Sequence, residues 1–278
     1  MLHSTEEWTK YCACLRDYDS ILEHARSVSA SLAGLTPESA HLGYAEQIYV
    51  KLIAHSVTLR GIGPDPTRKR PDELWDLSSM SAIARCIVEA LDALLYISDP
   101  SPAQEERDFR LQLWMLHDQT RRARMLDAIG STHEQADEIR KGAAERTKEV
   151  AAHPYFPRLK PSHRKSILSG DPPAFYLSQK ERCVAGRLDH NYMNTATMQL
   201  SQFVHTFPFA VHQLFEFRAG HPSALHLMTL PFKYTLPFIC VATVEMRHLF
   251  PDRTPSPPSG VRIRMESWFT VARHGFSE

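Results

Sequence analysis

Leu77-Ser-Ser-Met-Ser-Ala-Ile-Ala-Arg-Cys-Ile-Val-Glu-Ala-Leu-Asp-Ala-Leu-Leu-Tyr96 is strongly helical in its spacing yet carries a thin polar line. Met80, Ile83, Ala84, Ile87, Val88, Leu91, Leu94 and Leu95 recur at steps of three and four, the spacing that stacks side chains on one face of an α-helix. Ser78, Ser81, Arg85, Glu89, Asp92 and Tyr96 recur at the same steps on the opposite edge. The positions between are mostly small or apolar, so the polar stripe is narrow, and it has no Lys. A face built for water is wider and richer in Lys and Glu. The stretch therefore predicts a helix whose polar edge is not an ordinary solvent face.

The flanking sequence predicts more helices. Ser4 with Glu7 makes a capping box for a helix reaching about Leu32, ahead of Gly34. Thr36-Pro37 opens a second, with Tyr44, Ile48, Leu52 and Leu59 on its inner face. His55 falls on that same line, either as a core histidine satisfied by a backbone carbonyl or as part of a site. A connection of about 15 residues, through Gly61 to Pro71, then leads to Asp76, the N-cap of the quoted helix. A connection that long is a surface loop or a cover over the helix it leads to.

After Asp99-Pro100, Ser101-Pro102 caps a helix to Ile129, with Gly130 beyond its end. Its line of Arg110, Trp114, His117, Arg121 and Arg124 suits phosphates or, as a solvated face, pairing to Glu106. Ser131 with Glu134 starts a highly charged, peripheral helix to about Ala152. Residues 154–177 hold Pro154, Pro157, Pro161, Pro172 and Pro173 and read as a boundary or connector. Ser178 with Glu181 starts a helix to about Thr206, with Val184, Leu188, Tyr192, Ala196, Leu200 and Phe203 as its apolar face. Beside that face run His190, Asn194, Thr197, Ser201 and His205, short hydrogen-bonding side chains.

Leu227–Val244 has Lys233 as its only charge and is long enough to be weighed as a membrane span. Pro231 and Pro237 interrupt it, and a Lys at mid-bilayer costs about 3 kcal/mol, so it reads instead as a buried, proline-kinked core helix. Pro251–Gly260 is a linker, and Val261–Glu278 is a tail whose pattern fits a strand and a helix equally well.

Composition narrows the class. At 278 residues, 43% hydrophobic and 23% charged, the chain can bury a full core, so no disordered or fibrous class is suggested. Lys plus Arg equals Asp plus Glu, 32 against 32, which leaves no bulk field to draw nucleic acid or an anionic membrane. Cys12, Cys14, Cys86, Cys183 and Cys240 are odd in number without C-x-x-C spacing, against a disulfide framework or zinc knuckle. A reducing cytoplasm is the expectation, and the acidic start at Glu6-Glu7 reads against a signal peptide.

Chemical motifs must exceed chance before they count. HEPN ribonucleases, an all-helical class, carry Arg and His separated by four to six residues, and this composition gives about 4 such matches at random. Three occur: Arg110 with His117, Arg146 with His153, and Arg158 with His163. Di-iron bundles need Glu-x-x-His on two helices; Glu38 with His41 and Glu245 with His248 fit, against about one by chance. There is no Gly-rich phosphate loop, no G-x-S-x-G and no H-E-x-x-H. The pair of stripes stands out. Arg85 and Glu89, at i and i+4, can hold the guanidinium in place, Tyr96 extends the line, and His205 near a helix C-terminus is favoured as imidazolium.

The run Asp76 to Glu89, the following Arg110-Leu-Gln-Leu-Trp114 and the later Leu200-Ser201-Gln-Phe-Val-His205 resemble a bacterial all-helical family of unsettled activity. Its members share a Ser-x-x-x-Leu-x-Arg-x-x-x-Glu helix and a downstream Leu-Ser-x-x-x-His segment. Ser79, Arg85 and Glu89 match, with Ile83 in the place of Leu. The resemblance spans about residues 75–210 and implies a fold and a choice of residues, not a reaction.

These readings together predict an all-α protein, a single bundle of about six to eight helices over residues 1–250 with a proline-rich mid-chain connector, then a linker and tail over 251–278. The expected function is a cytoplasmic, bacterial binding or sensor protein. An inter-helical polar cavity of Arg85, Glu89, Ser201, His205, Tyr96 and His55 would take a small anionic ligand. A metal-independent HEPN-like nuclease or related hydrolase, with His205 as acid or base and Arg85 on phosphoryl charge, is the alternative from enzyme chemistry. A helical interaction scaffold, its stripes purely structural, is the third. No metal or cofactor is expected, nor a membrane; nucleic acid is disfavoured, and a homodimer is left open.

Overall fold

The computed structural model describes residues 2–65 and 74–275. Among them are eleven α-helices and no strand. They are α1 (Glu6–Leu32), α2 (Ala40–Ile62), α3 (Leu77–Ser98), α4 (Gln104–Ala128), α5 (Glu134–Ala152), α6 (Pro161–Leu168), α7 (Gln179–Ala185), α8 (His190–Val204), α9 (Pro208–Glu216), α10 (Pro222–Leu249) and α11 (Ser259–His274). The all-α expectation holds, but there are more helices than the six to eight expected, because several short ones appear where the sequence pattern predicts long helices or loops. Residues 66–73, the middle of the connection read as a cover for α3, lie outside the described residues.

The chain groups into two compact units, residues 1–98 with 182–278, and residues 99–181. In the first, α3 packs against α2, α8 and α10. Met80, Ala84, Ile87, Val88, Leu91 and Leu94 are buried, so the face read from the spacing is the core face. Asp76 caps the helix, its Oδ1 accepting from the Ser79 backbone N–H at 2.9 Å.

The apolar run at 227–244 lies within α10, whose apolar window is 72% buried inside the protein. It is the one described helix long and apolar enough to cross a membrane. Pro237 has no N–H for the carbonyl of Lys233, four residues back. Tyr192 compensates from α8, its hydroxyl directed at the carbonyls of Tyr234 (3.2 Å) and Lys233 (3.5 Å). The tail, whose pattern suits two structures, is the helix α11, and its Met265 and Ala272 are buried in the same core cluster as α1, α3 and α10.

The helix expected to be continuous from Ser178 to Thr206 is two. The Ser178–Glu181 box forms as expected, Glu181 Oε2 accepting from the Ser178 N–H at 2.7 Å. The chain then turns at Gly186, where a Cβ would stand 2.8 Å from Leu95 Cδ1, and at Arg187, whose φ is +53°. Asp189 restarts it as the N-cap of α8, accepting from Tyr192 N–H at 2.6 Å. The break leaves Val184, placed by spacing on the apolar face, 70% exposed.

In the second unit α4 packs on α5 around Phe109, Leu113, Leu116, Ala143 and Val150. Residues 154–177 do not run as a plain connector: Pro157 lies in a 3-10 turn at Phe156–Arg158, and Pro161 is the first residue of α6. Proline is tolerated there because first-turn N–H groups have no intrahelical partner to lose.

Candidate functional site

The α3 stripe and the α8 stripe meet at Arg85. Its Nε donates to Glu89 Oε1 at 2.9 Å, one turn on, and its Nη1 donates to Ser201 Oγ on α8. The serine can only accept from Arg85, because its own hydroxyl proton goes to the Thr197 carbonyl at 2.6 Å. The guanidinium is thus fixed on two sides, while Nη2 has no hydrogen-bond partner among the described residues. With 31% of the Arg85 side chain and 60% of Glu89 exposed, that free edge is open to water.

The other four expected site residues sort differently. Ser201 is in place. His205 is the exposed C-cap of α8, its N–H bonded to the Ser201 carbonyl at 3.3 Å, but its ring lies against Phe207, centroids 5.2 Å apart. The phenylalanine after the helix end supplies an apolar surface that the stripe spacing does not reveal. Tyr96 shares the stripe but is eleven residues beyond Arg85, about 16 Å along the axis, and is buried. His55 is on α2, outside the hydrogen bonds of Arg85. Its Nε2 is buried without a partner, and burial, with the Lys51 charge, lowers its pKa.

Two turns beyond Arg85 on the same edge, Asp92 is paired as well. Asp92 takes Arg182 in a two-pronged pair, 2.8 Å to Nε and 2.6 Å to Nη2, with both side chains 13% exposed. On the opposite, buried face of α3, Ser98 donates to Glu245 at 3.3 Å. Sequence spacing singles out Asp92 but not Arg182, which sits on the far side of a long insertion.

The second unit holds a further polar cluster. Arg110, 5% exposed, donates from Nε (3.1 Å) and Nη2 (2.6 Å) to Glu106 Oε1 and reaches Asp99 at 3.4 Å. The pairing to Glu106 is legible in the sequence; its burial is not. Tyr176 donates to the same Glu106 oxygen at 2.5 Å and lies 3.1 Å from the Tyr155 hydroxyl. Burial pushes the Glu106 carboxyl upward, but the hydrogen bonds from Tyr176 and Arg110 and the arginine's charge outweigh it and hold the pKa low. Tyr176 is driven far up by burial and by its bond to Glu106, so it stays a neutral donor. Farther along α4, Arg121 and Arg124 share Asp171, which answers the phosphate reading of that line with a protein carboxylate.

A feature that sequence reading misses lies where α10, the 251–260 linker and α11 come together. They line a half-open cavity of about 480 Å³. Val244, Met265 and Phe269 form its apolar side; Arg247, Ser256 and Arg262 form its polar side. Arg247 donates to Ser256 Oγ at 3.3 Å, pairs with no carboxylate among the described residues, and has a buried Nε without a partner. The signal in the sequence is an arginine near the end of a largely apolar helix, and it means nothing until the tail is known to be a helix. Among the described residues no group of three or more His, Cys, Asp or Glu is placed to hold a metal ion.

Comparison of the chain with protein families, with curated proteins and with solved structures finds no match in any of the three.

Proposed function

We propose that the protein is a helical binding protein that takes a small anion, a carboxylate or phosphate, at the open edge of Arg85. One observation carries this reading: the guanidinium is oriented by Glu89 and Ser201 yet keeps Nη2 free toward water. A pre-oriented guanidinium suits a planar or tetrahedral anion, because little side-chain freedom is lost on docking. Glu89 sets the orientation and at the same time weakens the field, so the site favours modest affinity and easy release. The likeness of the Ser79–Arg85–Glu89 and Leu200–Ser201–His205 segments to a bacterial helical family is part of the proposal and supplies no reaction.

The scaffold reading has its own observation, the two-pronged pairing of Asp92 with Arg182 along the same edge. Thermal unfolding with added phosphate, sulfate, citrate and succinate separates the two. A ligand that binds only the folded state raises the melting temperature in proportion to ln(1 + [L]/Kd). Arg85→Ala is expected to stay folded and lose that rise. An equal rise in the wild type and the variant refutes the site, and an unfolded variant favours the scaffold.

A further inference from the structure

We infer that the cavity between α10, α11 and the linker is a second binding site, for an amphipathic monocarboxylate with an acyl or aryl body. It does not rest on the Arg85 reading, since none of its walls belongs to α3 or α8.

The volume, about 480 Å³, falls within the range of small-molecule sites, and such sites are mainly apolar with a few placed polar groups. Here Met265, 3% exposed, and the Phe269 ring offer a surface for hydrocarbon. Arg247 and Arg262 supply cations, and Glu266, 3.8 Å from Arg262, offsets one of them. The lining therefore carries an excess of one positive charge, which fits a monoanion.

Arg247 itself points to an anion more strongly than the charge count does. A guanidinium taken partly out of water is normally matched by a carboxylate, because a buried donor left unmade is costly. Arg247 has only the Ser256 hydroxyl, and its Nε donor is buried and unanswered. A second imperfectly satisfied group stands close by: His24 on α1 is 5% exposed with Nε2 unpartnered, and its pKa is lowered by burial and then by the Arg247 charge. An anionic head group on Arg247 would supply the missing acceptor, while the body of the ligand covers Phe269.

A contrasting hollow of about 630 Å³, at Thr36–Glu38 and Phe250–Arg253, lacks this logic. Its acids Glu38 and Asp252 outnumber Arg253, and none of its groups is a buried donor without a partner.

Calorimetric titration of the full chain with decanoate, below its micelle concentration, tests the assignment, with acetate and decan-1-ol as probes of head and tail alone. Decanoate is expected to bind at one equivalent and each half alone far more weakly. Arg247→Ala should weaken decanoate by about 10- to 100-fold, the range for a lost charged hydrogen bond, and Arg247→Lys by less. Ser256→Trp, at an exposed position, should block the mouth without touching the core, and it decides the matter if Arg247→Ala fails to fold. Arg85→Ala should leave decanoate binding unchanged. Absence of decanoate binding, binding that survives both Arg247→Ala and Ser256→Trp, or binding lost in Arg85→Ala would each overturn the site.

Discussion

Arg110, 5% exposed, sits among Glu106, Asp99 and the Tyr176 hydroxyl, whereas Arg247, also drawn from water at its Nε, meets one serine hydroxyl beside open space. Arg85 falls between them, with one carboxylate, one serine and a free edge. The difference separates arginines that hold the fold from arginines that are free to hold something else. A guanidinium whose donors are all taken by the protein has nothing left for a ligand. One that keeps a donor unanswered has a hydrogen bond to gain from an anion without releasing its protein partner.

The contrast is tested most severely at Arg110. Arg110→Ala leaves Glu106 and Asp99 as uncompensated, half-buried carboxylates, and removing one partner of a buried pair costs about 3–5 kcal/mol. Urea unfolding should show a loss of that size, and acid should partly relieve it by protonating Glu106. A loss below about 1 kcal/mol would put Arg110 in the same class as Arg247. Asp92→Ala strips Arg182 of its two-pronged partner, and with 13% exposure on each side the expected loss is smaller, about 2 kcal/mol. Arg247→Ala removes no carboxylate partner and is expected to change stability by no more than about 1 kcal/mol, mostly through its aliphatic stem.

How far these distinctions are legible in the sequence depends on range. Helix faces follow from contacts three and four residues apart, so α3, its Asp76 cap and the two stripes that meet at Arg85 and Ser201 can be read directly. The break at Gly186–Asp189 cannot, because Gly186 is required by Leu95, a side chain far away in the chain. The burial of Arg110 is equally remote in origin, set by Tyr176 arriving from beyond α5 and α6. The α10–α11 cavity is hidden by a tail whose apolar spacing matches two periods at once. Tyr96 is over-read for the opposite reason: sharing a stripe places residues on one face, not at one height.

The Arg110–Arg247 contrast also has a pH signature. His24 and His55 have pKa values lowered from about 6.5, each chiefly by burial. The unfolded chain therefore binds protons that the folded chain refuses, so stability is full above about pH 6.5 and falls as the pH drops through the lowered folded values. Part of the His24 shift comes from Arg247, so Arg247→Ala should make acid unfolding less steep, whereas Arg110→Ala should leave this histidine contribution intact. Melting temperatures between pH 5 and 8 for the two variants and for His24→Gln measure the difference. An unchanged slope in His24→Gln would remove His24 from the account.

The smallest effect is expected at Glu89, and it tests whether Arg85 belongs nearer to Arg110 or to Arg247. The Arg85–Glu89 pair is at i and i+4 with the carboxylate 60% exposed, so Glu89→Gln should cost about 0.3–0.5 kcal/mol of stability, near the limit of detection. Its effect on binding should have the opposite sign. The glutamine oxygen can still accept from Nε, but the negative charge beside the free edge is gone, so phosphate or succinate should bind more tightly than to the wild type. If Glu89→Gln instead costs several kcal/mol and leaves anion binding unchanged or absent, Arg85 is a structural arginine like Arg110. The α3 edge is then a device for fixing helix register.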